Sequence, residues 1–447
     1  MAKKQRALVY GLAIAGEATA RALLARGFAV TVADDRPTPD ALAVARALSI
    51  DLYEAPPAPK VERLVERSDV VVPSPGIPER HPVIVSAQRL GVPLRTEIDL
   101  AYEWEQEREV PRPMLAVTGT DGKTTTTLLA TAMLDAAGVS AVASGNTETP
   151  LVTALEHDVD AFVVECTSFR LAWTTRFRPV AGAWLNLAQD HLDWHDAMDS
   201  YVAAKARLWR FQDSTDAAIG YAADPVVMAH LAGAPGRHIT FGTADADYRV
   251  DGGWLVGPGG RLAEVASMRR ALPHDITNAL AAAALVLESG LGSVAGVATA
   301  LATFEGPHHR IELVADDGAV RYYDDSKATT PHAALTAIRA FDHVVLVAGG
   351  RNKGLDLAPM ASEPERVRAV VAIGEAAPTV AEVFDGVSPV ATASSMDDAV
   401  AAARAMAQSG DVVLLSPGCA SFDWYTGYAE RGNDFVRAVR AQVEVPS

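Results

Sequence analysis

The 447-residue sequence predicts an α/β protein of three domains: a Rossmann-like domain over 1–104, a central P-loop ATPase-like domain with a mainly parallel sheet and helices over 105–306, and a C-terminal Rossmann-like domain over 307–447. Three observations predict it. Short apolar runs alternate with helical patterns along the whole chain, the rhythm of parallel sheets. A glycine loop followed by a lysine and four threonines, GTDGKTTTT, stands between a strand pattern and a helix pattern at 119–127. Charged and hydroxyl residues recur just after the strand patterns, where open sheets bind their ligands.

The first unit runs strand (ALVYG), loop (LAIAG), helix (EATARALLARG) and strand (FAVTVAD) over residues 7–34. It is a weak dinucleotide fingerprint, because the middle glycine that admits a pyrophosphate is Ala13. Asp34, Asp35 and Arg36 close the second strand, as a surface turn or as ligand contacts. Ser74-Pro75-Gly76 ends the strand pattern VVVP in the same two-sided way. A helix over 82–90 and a strand near Val92 complete this part, and AYEWEQEREVPRP at 101–113 marks a boundary.

The phosphate loop opens the second part. Leu115, Ala116 and Val117 form a buried strand, Gly119 and Gly122 break it, and Lys123 leads a helix ending at Gly138. Backbone N–H groups and the helix dipole point at an anion, Lys123 adds charge, and the Thr124 hydroxyl can reach Mg²⁺. The usual spacing would put a glycine where this chain has Val117, so the competing reading is a glycine turn capping a core helix. Glu165 ends the strand AFVVEC, and Asp190 and His191 follow the strand AGAWLNL. A carboxylate and an imidazole beside a phosphate loop suit Mg²⁺; singly, each is an ordinary surface residue. In YVAAKARLW, Lys205 lies among alanines and large apolar residues, as a snorkelling lysine or a buried one in need of neutralisation. Residues 217–265 hold short strands, including the hairpin YRVDGGWLV. PHDITNALAAAALVLE reads as a helix capped by Asp275, with Asn278 in its first turn.

GPHHR at 306–310 marks the next boundary, and a third α/β pattern follows. Its strands are IELVA, AVRYYDD, HVVLVAGG, VRAVVAIG and VVLLSPG, with helices near 331–340, 376–384, 396–408 and 425–442. Asp325, Ser326, Lys327 and Lys353 stand at strand ends, and Ser421 follows Gly418-Cys419-Ala420.

A net charge of −17 excludes a nucleic-acid partner. Two cysteines in unrelated segments give no disulfide framework, so a reducing cytoplasm is expected. Glu17 and Arg21 interrupt the apolar N-terminal run, which reads as strand and helix rather than signal peptide. No stretch reaches the ~18 apolar residues of a membrane span.

Taken in order, GTDGKTTT, ECTSF, LNLAQDHLDWH, YVAAKARLW, TNALAA, GPHHR, DDSKATTPHAA, SPGCASFDWY and ERGNDF resemble the Mur ligase family of ATP-dependent amide-bond-forming enzymes. The resemblance spans essentially the whole chain. SPGI at 74–77, DSKAT at 325–329 and SPGCASFD at 416–423 resemble the branch that adds D-glutamate to UDP-N-acetylmuramoyl-L-alanine. It implies a cytoplasmic, monomeric enzyme of peptidoglycan synthesis, with those two small molecules and ATP as substrates and two Mg²⁺ ions as cofactors.

The resemblance also implies roles. Lys123, His191, Lys205 and Lys327 would be catalytic. Gly119, Thr120, Asp121, Gly122, Lys123, Thr124, Thr125, Asn278, Arg310, Asp325 and Lys327 would bind ATP. Thr124, Glu165, His191 and Lys205, the last as a carbamate, would hold metal. Asp34, Arg36, Ser74, Gly76 and Asn146 would meet the UDP-sugar, and Thr329, Lys353, Ser421 and Phe422 the D-glutamate. The chain departs from the pattern at Arg170, where a glutamine is usual, at Thr330, and in GLAIAG. Another Mur-type ligase, a folate polyglutamate synthase, an NAD-dependent oxidoreductase and a non-catalytic nucleotide sensor stay open as alternatives.

Overall fold

A computed structural model describes residues 4–442. The chain forms two compact units: Met1–Ala271 with Asp275–Phe304, and Leu272–His274 with Glu305–Ser447.

The first unit begins with four parallel strands, β1 (Arg6–Tyr10), β2 (Ala29–Asp34), β3 (Asp51–Glu54) and β4 (Val70–Pro73), in the order β3-β2-β1-β4. The strand expected near Val92 does not form. A single bridge joins Val71 to Leu94 there, because Pro93 has no N–H to extend a ladder. The charged stretch after it is the helix Glu97–Glu105.

Six parallel strands follow: β5 (Met114–Thr118), β6 (Ala141–Gly145), β7 (Ala161–Glu165), β8 (Ala181–Trp184), β9 (Ala217–Tyr221) and β10 (Arg237–Phe241). Their order is β10-β9-β8-β5-β7-β6. The strand before the glycine loop, β5, is thus central, and every residue of it is buried. Its neighbours β7 and β8 deliver Glu165 and the 186–191 segment to the loop's end of the sheet, as the sequence predicts. One apolar cluster runs from Val9, Leu23 and Val32 through Ile98 and Trp104 to Phe162 and Trp184. The expected hairpin is present as β11 (Arg249–Asp251) and β12 (Trp254–Gly257), with a third antiparallel strand, β13 (Gly260–Glu264).

Asp275 does not cap its helix. The helix is Pro273–Glu288, and Asp275 lies in its first turn, paired with Arg270 at 3.1 Å. Proline suits a first helical position, where its missing N–H costs nothing.

The second unit holds β14 (Glu312–Asp316), β15 (Arg321–Asp324), β16 (Val344–Gly349), β17 (Val367–Ile373), β18 (Val390–Thr392) and β19 (Val412–Leu415). The order is β14-β15-β19-β16-β17-β18, and only β14–β15 is antiparallel. The short edge strand β18, three residues and partly exposed, gives no apolar run for sequence to register. Along β16, Leu346 faces one apolar cluster while Val345 and Val347 face another, so the sheet is covered on both sides. Among the described residues no helix is long and apolar enough to cross a membrane.

Candidate functional site

The glycine loop is held from below by a residue the sequence reading did not select. Asn186, just past β8, accepts the N–H groups of Thr120 and Asp121 on its Oδ1, both at 2.9 Å. Its Nδ2 donates to the Asp121 carbonyl at 3.2 Å. One amide side chain therefore fixes the loop's tip. The Thr120 hydroxyl lies 3.1 Å from the Tyr201 hydroxyl. Gly122 has φ +81°, and a Cβ there would come within 2.5 Å of Asn278 Oδ1. Only glycine meets both demands. Thr126 donates to the same Asn278 oxygen at 3.3 Å, so Asn278 braces the first turn of the helix Lys123–Ala136.

Two lysine amines converge on one carbonyl. Lys123 Nζ donates to Gly119 O at 2.9 Å and to Thr120 O at 2.7 Å. Lys205 Nζ donates to Gly119 O at 2.6 Å, from the helix Met198–Ala206. Lys205 is 1% exposed, so the snorkelling alternative fails. Burial first, and the charge of Lys123 second, hold its pKa well below the ordinary lysine value against the pull of Asp190 and Asp121. A depressed pKa favours the neutral, nucleophilic amine.

Glu165 ends β7 with one oxygen used and one bare. Its Oε1 accepts the Asn146 amide at 2.9 Å, while its buried Oε2 has no hydrogen-bond partner among the described residues. An uncompensated buried carboxylate oxygen is costly, and a divalent cation is the group that repays it. That bare oxygen leaves Glu165 open to a cation at the loop's end of the sheet.

His191 follows with a left-handed backbone, φ +55°. Its N–H donates to Asp190 Oδ1 at 2.8 Å, and its ring Nε2 lies 3.1 Å from Asp190 Oδ2. Burial lowers its pKa; Asp190 opposes this, and Lys123 and Lys205 add to the lowering. The ring therefore stays neutral and able to offer a lone pair. Nearby, Ser168, His195 and Glu79 stand in the order of a nucleophilic triad, at 2.9 and 3.0 Å. Ser168 and His195 are fully buried, however, so the chain is a brace and no substrate can reach it.

The first sheet's candidate contacts are largely engaged with backbone. Asp34 Oδ2 accepts the Leu12 N–H at 2.7 Å and Oδ1 accepts that of Arg36 at 2.8 Å. Ser74 donates to Gly11 O at 2.7 Å, tying its turn to the first loop beside Gly76. These bonds shape a pair of loops around the exposed Arg36. Asn146 lies with Glu165, at the metal-type group. Arg170 turns to the buried carboxylate of Glu97, whose other oxygen accepts the Val152 N–H at 2.8 Å. The unusual arginine is thus half of an internal ion pair.

In the second unit, Arg310 lies between two residues with left-handed backbone, His309 and Ile311. Asp325 is buried, accepts the Ser416 hydroxyl at 2.7 Å, and has its pKa pushed up to about 7 by burial. Lys327 sits over the Tyr428 ring at 4.9 Å, and its N–H donates to His309 O at 3.1 Å. The loop bearing Lys353 pairs with the loop bearing Ser421 and Phe422: Arg351 N–H donates to Ala420 O at 2.8 Å and Ala420 N–H returns to Arg351 O at 3.1 Å. Gly418 N–H donates to Ala328 O at 2.9 Å, which brings Thr329 to the same end of the sheet. Thr330 caps the helix Pro331–Ile338, a role open to threonine as much as to asparagine. Lys353 and Phe422 are exposed, Phe422 at 56%.

Residues 5–96 match the Mur ligase MurD-like N-terminal domain, 117–286 the Mur ligase middle domain, and 309–419 the Mur ligase glutamate ligase domain. The chain is 43% identical to UDP-N-acetylmuramoylalanine–D-glutamate ligase of Frankia casuarinae, over 97% of this chain and 94% of that one. It is 38% identical to the enzyme of the same name from Mycolicibacterium vanbaalenii, over 98% of each chain. Among solved structures, UDP-N-acetylmuramate-alanine ligase of Thermotoga maritima shares the fold, with a TM-score of 0.58 at 19% identity over 98% of this chain and 100% of that one.

Proposed function

The chain belongs to the Mur ligase family, and from that premise we propose that it joins D-glutamate to UDP-N-acetylmuramoyl-L-alanine at the expense of ATP, a cytoplasmic step of peptidoglycan precursor synthesis. In this reading residues 1–104 take the UDP-sugar, 105–306 the ATP and 307–447 the amino acid. The observation that carries it is the meeting of three groups at the ends of β5 and β7 and on the adjoining helix: a lysine-bearing phosphate loop, a bare buried carboxylate oxygen and a buried lysine amine.

The reaction must bring a carboxylate to a triphosphate, two anions. Lys123 and the N–H groups from Gly119 to Thr125 draw the phosphates to the helix end beside Asn278, and Arg310, Asp325 and Lys327 are further proposed contacts of the nucleotide. Thr124, Glu165, His191 and a carbamate on Lys205 would hold Mg²⁺, which supplies charge neutralisation for phosphoryl transfer. The neutral Lys205 amine suits carbamate formation: its nitrogen bonds to the carbon of CO₂, one proton leaves, and a neutral amine becomes an oxygen-bearing anion. The acceptor carboxylate takes the γ-phosphoryl group and ADP departs. The D-glutamate amine then attacks the acyl phosphate, and inorganic phosphate leaves as the amide forms. Asp34, Arg36, Ser74, Gly76 and Asn146 orient the UDP-sugar; Thr329, Lys353, Ser421 and the backbone at Phe422 hold the glutamate carboxylates. Two free, buried cysteines suit a reducing compartment.

The test is phosphate release with ATP, UDP-N-acetylmuramoyl-L-alanine and D-glutamate, each omitted in turn. Release is expected only with all three. Release that ignores D-glutamate, or that needs a different amino acid, would overturn the assignment.

A further inference from the structure

Arg431 lies in the first turn of the helix Tyr428–Gln442, within the stretch ERGNDF, and is 1% exposed. Among the described residues, none of the hydrogen bonds its guanidinium makes goes to a carboxylate. Nε donates to Ser326 Oγ at 2.9 Å, Nη2 to Ser326 O at 2.8 Å and Nη1 to Cys419 O at 3.1 Å. Burial lowers its pKa to about 10, with Asp423 the first of the charges that oppose this, so it remains a cation at neutral pH. Burying a cation without a paired anion costs free energy that carbonyl dipoles offset only in part. Such a group is better explained by geometry than by stability.

Its two anchors belong to different substrates. Ser326 stands between Asp325 and Lys327 of the nucleotide loop. Cys419 lies in the turn that carries Ser421 and Phe422. We propose that Arg431 is a positioning residue that fixes the nucleotide loop against the amino-acid loop, so that one side chain sets the spacing of two binding sites. This rests on the function proposed above. The rigid guanidinium fork spans both loops; a lysine ammonium, with its donors at one point, cannot.

The next residue supplies a contrast. A Cβ on Gly432 would run into His309 Nδ1 and come within 2.7 Å of Asp324 Oδ2. Those two atoms form a 2.6 Å bond, and His309 O receives the Lys327 N–H. Position 432 therefore bears on the nucleotide loop alone, whereas Arg431 bears on both.

The experiment compares wild type, Arg431→Lys and Gly432→Ala by steady-state phosphate release, varying one substrate at a time, with circular dichroism and thermal melting as checks on folding. Arg431→Lys is expected to raise KM for both ATP and D-glutamate by about 5-fold or more, and to leave that for the UDP-sugar within about 2-fold. Gly432→Ala is expected to raise KM for ATP and leave that for D-glutamate within about 2-fold. If a folded Arg431→Lys moves neither constant, only one of them, or all three alike, the inference fails. Should Arg431→Lys not fold, Ser326→Ala, which removes the acceptor of Nε, is judged by the same criteria. A wild type indifferent to D-glutamate sinks the proposed function, and this inference with it. A competent wild type with unchanged ratios in the variants sinks the inference alone.

Discussion

Replacing Lys205 separates its chemistry from its packing. Lys205→Met keeps most of the buried bulk and removes one hydrogen bond, whose acceptor, Gly119 O, still receives Lys123. A typical hydrogen bond contributes about 1 kcal/mol net, so the fold should lose no more than that. Lys205→Ala loses three further methylenes, at about 0.8 kcal/mol each, or about 2.4 kcal/mol in all. Activity should behave differently. Loss of one preorganised electrostatic contact costs about 10²–10³ in rate, equivalent to about 2.7–4 kcal/mol, and both variants should fall at least that far. The assay is phosphate release with all three substrates, with and without formate, acetate or propionate. The alanine variant leaves room where a short carboxylate can stand in for the carbamate, and should regain activity. The methionine variant fills that room and should not. A methionine variant within about tenfold of wild type, or equal rescue of both variants, would refute the carbamate argument.

Asp325 gives a pH signature. Its folded pKa is raised, so the protonated fold is favoured, and that stability is fully present below about pH 4 and lost as pH rises through about 7. The difference between 3.8 and about 7, at 1.36 kcal/mol per pH unit, sets a ceiling of about 4 kcal/mol. Asp325→Asn should therefore unfold at higher urea than wild type at pH 8 and match it at pH 4, while losing activity; equal urea midpoints at pH 8 would contradict this. Removing half of the buried Glu97–Arg170 pair by Glu97→Gln should cost about 3–5 kcal/mol in urea unfolding. The double variant Glu97→Met, Arg170→Leu should recover most of it, and additive losses would argue against the pairing. Lys353→Ala should raise KM for D-glutamate at least about tenfold while leaving that for ATP unchanged; equal constants for D-glutamate would remove Lys353 from the site.

What sequence made legible is what physics makes local. GTDGKTTTT carries its own geometry, because glycines turn a strand into a helix within a few residues. The alanine and aromatic flanks of Lys205 are legible in the sequence, but the choice between snorkelling and burial is not. The rest depends on partners far along the chain. Asn186 is an unremarkable residue after a strand until it meets the Thr120 and Asp121 amides, 66 and 65 residues away. Arg170 reads only as a departure from a usual glutamine until Glu97, 73 residues earlier, comes within reach. Arg431 works across 105 residues. The misread strand near Val92 failed for a simpler reason: an apolar position beside a proline has the hydropathy of a strand without its donors. Asp275 misled in the same local way, a good capping residue pre-empted by a proline two positions earlier.

The central claim concerns where a triphosphate goes. Crystals grown with Mg²⁺ and a non-hydrolysable ATP analogue should show its phosphates against the N–H groups of Gly119 to Thr125, with Lys123 turned onto them and a metal ion bonded to the free oxygen of Glu165. Phosphates bound anywhere else, with Glu165 Oε2 still bare, would contradict the account.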